Sequence, residues 1–242
     1  MKAYVNPNTI SLVYNKARAL LELAYPPVCS LCLARGDSGY DLCRGCRDDL
    51  PQLERCCERC GLALESRAQH CGGCLRKPPP FDLTVAALSY RAPVDRFVHE
   101  LKFQGKLVRA RLLGALLADA VANRATPLPE LLIPVPLHPR RLRQRGFNQA
   151  AELGRVLAHR LGLPLDHRIL SRTRETPPQH ELPAAARRSN VRGAFRLRRS
   201  LEVRHVALID DVMTTGSTVR EAARVLKKSG AERVEVWVTA RA

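Results

Sequence analysis

Cysteine disappears from the sequence after residue 74, and phenylalanine and tryptophan are missing before residue 81. Aromatic residues make up only 5% of the whole, too few for the stacking platform of an oligonucleotide-binding barrel. Any contact with nucleic acid should therefore run through phosphates and be salt-sensitive. Long apolar runs are missing too. The longest, residues 112–122, is interrupted by Asp119 and falls well short of the ~20 residues that cross a bilayer, so no membrane span is expected. Residues 1–25 are broken by Asn15, Lys16 and Arg18 and do not read as a secretory signal; the expected compartment is the cytoplasm. Neither GxGxxG nor GxxxxGK[ST] occurs, which argues against an ordinary dehydrogenase or nucleoside triphosphatase.

What is present describes a folded protein. Of 242 residues, 45% are apolar and 26% charged, near globular averages, and the length allows one large domain or two moderate ones. The formal net charge is +17, so a polyanionic partner is the first to suspect. All nine cysteines lie between Cys29 and Cys74. Eight form four CxxC units at a constant spacing, Cys29/Cys32, Cys43/Cys46, Cys57/Cys60 and Cys71/Cys74, with Cys56 outside the repeat. A CxxC turn aims two thiolates at one tetrahedral centre, so eight ligands make two four-thiolate zinc sites. Structural zinc would replace an apolar core that this segment lacks. Neighbouring units are expected to pair because the loops are short, although spacing alone leaves the pairing open.

The cysteine-rich stretch and the run Pro78, Pro79, Pro80 divide the chain into residues 1–80, an N-terminal helix plus a double zinc ribbon, and residues 81–242. Residues 13–24 carry the helical apolar spacing. Beyond residue 81, apolar periodicity predicts strands over 83–90, 131–135, 203–209 and 233–239, and an extended stretch at 168–170. It predicts helices over 93–103, 107–123, 148–161 and 217–228. Strands separated by helices imply a mostly parallel sheet with helices on both faces, an α/β fold. Trp237 is expected in the core, and His99 and Glu100 on an exposed helix face.

The run Val206-Ala207-Leu208-Ile209-Asp210-Asp211-Val212-Met213-Thr214-Thr215-Gly216-Ser217-Thr218 carries the chemistry. A buried strand ends in two acids, where ligands of open α/β sheets bind. Gly216 permits a tight turn, and the amides and hydroxyls at the helix start cradle an anion. The carboxylates can accept hydrogen bonds from vicinal sugar hydroxyls, and together these describe a ribose 5-phosphate ligand. The run resembles the phosphoribosyl pyrophosphate (PRPP) motif of type I phosphoribosyltransferases. That resemblance assigns Asp210 and Asp211 to the ribose hydroxyls and the reacting centre. It gives the 5′-phosphate to Thr214, Thr215, Gly216, Ser217 and Thr218, and it implies Mg2+ on the pyrophosphate.

Between Pro134 and Arg204 there are 16 arginines, no lysine and 5 acids. Guanidinium groups bind phosphate bidentately. Inside this stretch, Pro136, Leu137 and His138, followed by Arg140, Arg141, Arg143 and Arg145, stand where type I enzymes place the pyrophosphate loop. His138 and His180 flank the basic loops. Arg172, Thr173, Thr176, Gln179, Leu182, Arg187, Asn190, Ala194 and Phe195 fall in a poorly periodic segment that resembles a lid. With the CxxC array and Leu101-Lys102-Phe103, these features resemble the ComF family of late competence proteins across nearly the whole chain. Its arrangement is a double zinc ribbon fused to a type I phosphoribosyltransferase-like domain. The resemblance implies two structural Zn2+, PRPP, single-stranded DNA as a partner in DNA uptake, and contact with competence helicase machinery. It leaves two functions in competition: PRPP binding that serves DNA uptake, and active transfer of ribose 5-phosphate to an acceptor.

Overall fold

The computed structural model describes residues 26–37, 39–175 and 191–242, and the chain divides into two compact units, residues 1–50 and 51–242. The helix expected at 13–24 lies outside the described residues. Among the described residues of the first unit, a knuckle framework buries few apolar side chains, Leu42 and Leu50 with Cys29. The Cys29 N–H donates to the Ala34 carbonyl at 2.8 Å, Val28 bridges Arg35 in antiparallel fashion, and α1 (Arg44–Asp48) is capped by the Cys43 side chain.

In the second unit the corresponding short helix, α2 (Gly72–Arg76), is capped by Cys71. This knuckle packs directly against residues of the sheet. Cys57, Cys60 and Cys74 are buried in one apolar cluster with Phe81, Met213, Val236 and Val238. The compositional boundary at residue 80 and the packing boundary at residue 50 therefore fall at different places. Composition follows where the cysteines end, whereas packing follows which side chains bury each other.

The sheet contains β1 (Leu83–Ser89), β2 (Leu131–Pro134), β5 (His205–Met213) and β6 (Arg233–Arg241) in the order β1-β6-β5-β2. All three pairings are parallel. Such strands are covered on both sides and read as apolar runs. Val206, Leu208, Val234 and Val236 share a cluster with Val219, Ala222, Ala223 and Leu226 of α7 (Ser217–Lys228). Alternate residues Ala207, Ile209 and Trp237 are fully buried toward the other face, where α4 (Val108–Ala122) and α6 (Gln149–Leu161) pack. These two helices meet closely: a Cβ on Gly114 would stand 2.8 Å from the Val156 Cβ.

Three elements differ from the sequence reading. The strand expected to end at residue 209 continues as β5 to Met213, because its partner β6 keeps pairing with it as far as Met213 and Arg241. The basic loop after β2 contains a helix, α5 (Pro139–Arg145), opened by His138, whose side chain accepts from the Arg140 N–H, and closed by left-handed Gly146. The stretch read as a lid begins and ends in a small antiparallel ribbon, β3 (Leu170–Arg172) with β4 (Phe195–Leu197). Thr176, Gln179, His180, Leu182, Arg187 and Asn190 lie outside the described residues.

On α3 (Val94–Gln104), His99 is exposed as expected, but Glu100 is not. It is half-buried and bound by Arg109 at 2.6 Å and Lys106 at 3.4 Å. At the amino ends of the strands, Glu235 is fully buried. It holds Arg124 at 2.6 Å, Arg233 and His205 each at 3.0 Å, and the Trp237 indole N–H at 2.8 Å. Burial opposes its charge, but these partners outweigh burial and hold its pKa below the ordinary glutamate value. Among the described residues, no helix is long and apolar enough to cross a membrane.

Candidate functional site

At the opposite, carboxyl ends of β1, β2 and β5 lies a cavity of about 830 Å³, where open α/β sheets bind their ligands. Asp210 and Asp211 enter it from the carboxyl-terminal part of β5. Successive strand residues face opposite ways, so the two acids meet different neighbours. Asp211 is buried and accepts from the Val212 N–H at 2.6 Å. It is paired with the Lys102 ammonium, which reaches it from α3 at 2.9 Å. Asp210 accepts from the Asp211 N–H at 2.9 Å. Burial, reinforced by the Asp211 charge, pushes the Asp210 carboxyl up to about 7 against the opposing pull of Lys102 and Arg172. Burial works against the Lys102 charge, but Asp211 and then Asp210 hold its pKa above the usual lysine value.

The turn after Met213 is built for close approach. Gly216 has φ +70, a left-handed backbone that favours glycine, and a Cβ there would displace the Met213 Cε, which stands 2.6 Å away. The hydroxyls of Thr215 and Ser217 bond each other at 2.8 Å and Ser217 is buried. Thr214 and Thr218 line the cavity.

Across the cavity stand Pro136 and Leu137 from the loop after β2, Arg141 and Arg145 from α5, and Arg172 from β3. Asn148 fixes that loop. Its amide donates to the Val135 carbonyl at 3.1 Å while its side-chain oxygen caps α6 through the Ala150 N–H at 3.1 Å. Burial, then the neighbouring Arg141 charge, lowers the Arg172 pKa to about 10. Burial also lowers that of Arg145, whose guanidinium lies 5.6 Å over the Phe103 ring. Four cations, Lys102, Arg141, Arg145 and Arg172, thus face two acids, a balance suited to a polyanion that also offers hydroxyls.

Of the residues singled out from sequence, Asp210, Asp211, Thr214, Thr218, Pro136, Leu137, Arg141, Arg145 and Arg172 line this cavity. His138, Thr215, Gly216 and Ser217 shape its loops without lining it. Arg140 and Arg143 are exposed, Arg140 within 3.4 Å of Glu175. Arg187 lies outside the described residues. Sequence reasoning gave no role to Lys102, Tyr90, Gln144 or Phe147, all of which line the cavity. Lys102 was visible within Leu101-Lys102-Phe103, but nothing along a helix shows that it reaches an acid on a strand more than a hundred residues later.

The cysteines form two clusters, Cys29, Cys32, Cys43 and Cys46, and Cys57, Cys60, Cys71 and Cys74, with the sulfurs of each within 4.8 Å of one another. Neighbouring CxxC units therefore pair. Cys32 and Cys43 Sγ are 3.6 Å apart, and Cys60 and Cys71 Sγ 3.7 Å. Tetrahedral zinc with bonds of about 2.3 Å sets sulfurs ~3.8 Å apart. No cysteine is in a disulfide, so both clusters fit structural zinc. Backbone amides assist: the Cys46 N–H donates to Cys43 Sγ at 3.5 Å and the Cys74 N–H to Cys71 Sγ at 3.4 Å.

Residues 20–75 match the double zinc ribbon domain and residues 146–242 the phosphoribosyl transferase domain. The DNA utilization protein YhgH of Salmonella typhi is 40% identical over 224 residues, covering 90% of this chain and 99% of its own. Competence protein F of Haemophilus influenzae is 39% identical over 208 residues, covering 83% and 90%. Among solved structures, a purine phosphoribosyltransferase from Pyrococcus horikoshii aligns over 55% of this chain and 73% of its own at 20% identity, with a TM-score of 0.33. The chain therefore belongs to the ComF family, in which a double zinc ribbon is joined to a phosphoribosyltransferase-like domain.

Proposed function

We propose that the cavity binds PRPP and that the protein serves DNA uptake or utilization with single-stranded DNA as its polyanionic partner. The observation that carries this reading is the arrangement around one cavity of an acid pair, a Thr214 to Thr218 turn and four cations. Asp210 and Asp211 hold the ribose hydroxyls, the turn holds the 5′-phosphate, and Arg141, Arg145 and Arg172 face the pyrophosphate. Mg2+ arriving with PRPP would neutralise that group. The oxygen donors at hand, Asp210 and Thr214 among them, are of the hard type it takes. Lys102 pairs with Asp211 at 2.9 Å, which orients that carboxyl group toward a hydroxyl it would accept from. Names of relatives, DNA utilization protein and competence protein F, support the DNA side, as does the arginine-rich stretch.

Transfer of ribose 5-phosphate to an acceptor is a second reading. It is favoured by the aromatic residues Tyr90, Phe103 and Phe147 among the cavity lining, against which a planar acceptor would stack. Calorimetric titration with PRPP, with and without Mg2+ and a single-stranded oligonucleotide, tests both. Mg2+-dependent binding that vanishes in the Asp210→Ala, Asp211→Ala double variant is expected. Unchanged binding by that variant contradicts the site, and release of pyrophosphate in the presence of an acceptor decides for transfer.

A further inference from the structure

The second cysteine cluster and the phosphate loop share one physical link. Arg241, the last residue of β6, donates from Nε to the Cys60 carbonyl at 2.9 Å and from Nη1 to the Met213 carbonyl at 3.0 Å. Cys60 is one of the four sulfurs of that cluster, and Met213 is the residue immediately before Thr214. The Ala242 N–H donates to the same Met213 carbonyl at 3.1 Å. One guanidinium thus bridges two backbone carbonyls, one in the metal knuckle and one at the entry to the loop.

Both ends of the bridge are held tightly. Thr84 of β1 donates from its N–H to the Glu58 carbonyl at 2.9 Å and from Oγ1 to the Arg59 carbonyl at 2.5 Å. Gly61 closes the knuckle against Thr84, where a Cβ would come within 3.1 Å of its Cγ2. At the other end the Met213 side chain is buried with Cys57, Cys60 and Cys74, and its methyl fills the place a Gly216 Cβ would need. The contact path from the cluster to the turn is continuous: Cys60, Arg241, Met213, Gly216.

Resting on the reading of the cavity as a PRPP site, we propose that Arg241 is a positioning residue through which zinc in the second cluster sets the geometry of the phosphate loop. Ligation of the Cys57, Cys60, Cys71 and Cys74 thiolates fixes the knuckle backbone and hence the direction of the Cys60 carbonyl. A zinc ion held by four thiolates keeps net negative charge, for which a guanidinium is the fitting neighbour. When the zinc leaves, the carbonyl is free to turn, Arg241 loses its anchor in the knuckle and keeps only the Met213 and Ala242 carbonyls, and Met213 and the turn after it relax. PRPP affinity then depends on the second metal site, and by linkage PRPP tightens zinc there.

The test is a double-mutant cycle on the full-length, zinc-loaded chain. Arg241→Ala, Cys71→Ser and the two together are titrated with PRPP and Mg2+, with zinc content measured on each. Hydrogen exchange at residues 213–218 is followed without ligand. Arg241→Ala is expected to keep its zinc, to lose about tenfold in PRPP affinity and to exchange faster at 213–218. Cys71→Ser should lose one zinc with a similar loss of affinity, and the double variant should bind no worse than Cys71→Ser alone. Arg241→Lys, which lacks the planar fork that sets Nε and Nη1 on separate carbonyls, should recover only part. Additive losses, or an Arg241→Ala protein that binds within about twofold of wild type with unaltered exchange, overturn the coupling. If Cys71→Ser does not fold, the Arg241 variants and their exchange decide. If the wild-type chain binds no PRPP, the reading of the cavity fails, and exchange at 213–218 on zinc removal still tests the link.

Discussion

Asp210 carries a carboxyl raised by burial and by Asp211 to about 7, so its charge changes near neutral pH. Sugar hydroxyls donate best to the ionised form, so PRPP should bind more tightly as pH rises through about 7. PRPP's own phosphate titrates near ~6, so the difference between wild type and Asp210→Asn is the informative quantity. Calorimetry at about pH 6 and about pH 8 should show that difference growing with pH. The stability consequence has the opposite sign. A folded-state pKa above the unfolded value means that stability is fully present below about 3.9 and is lost as pH rises through about 7. Asp210→Asn should therefore stabilise the ligand-free chain at alkaline pH by roughly 1–2 kcal/mol while weakening PRPP. At Gly216, alanine would meet both a left-handed backbone and the Met213 methyl. Urea unfolding of Gly216→Ala should register a loss of about 1–3 kcal/mol. The acids and this turn were legible in the sequence because they are consecutive. Lys102 was not, since only the folded chain brings α3 to β5.

Elements were legible where burial makes a periodic pattern and illegible where function interrupts it. β1, α3, α4, α6, α7 and β6 follow their apolar spacing to within a residue or two. β5 extends past its predicted end because the residues beyond Ile209 are strand by hydrogen bonding, not by hydrophobicity. α5 escaped prediction because it has no buried residue and its sequence is mostly arginine. The sheet's amino edge depends on Glu235, a buried charge with four partners that a reading of apolar periodicity passes over. Glu235→Ala should cost roughly 3–5 kcal/mol, since it strands Arg124 beside Trp237 without its counter-charge. Chemical denaturation at neutral pH measures this. Because the Glu235 pKa is depressed, the stability it contributes is present above about pH 4.3 and is lost as pH falls through its folded value. The wild-type advantage over Glu235→Ala should therefore shrink in acid.

For the whole molecule, the sequence separated cysteines from sheet, but only the packing reveals that the two cysteine clusters belong to different compact units. A boundary read from composition cannot show that Cys57, Cys60 and Cys74 share a core with Val236 and Met213. The net charge of +17 and the low aromatic content set how single-stranded DNA should be held. Its affinity should fall steeply and log-linearly with salt, with little dependence on base sequence, as fluorescence anisotropy across a salt series would show. A slope near zero would remove the phosphate-driven account of that partner. The most direct test of the central claim is a crystal structure of the chain with PRPP and Mg2+. It should show the ribose hydroxyls on Asp210 and Asp211, with the 5′-phosphate in the turn from Thr214 to Thr218. A cavity that stays closed to PRPP, or a ligand bound away from these residues, would contradict it.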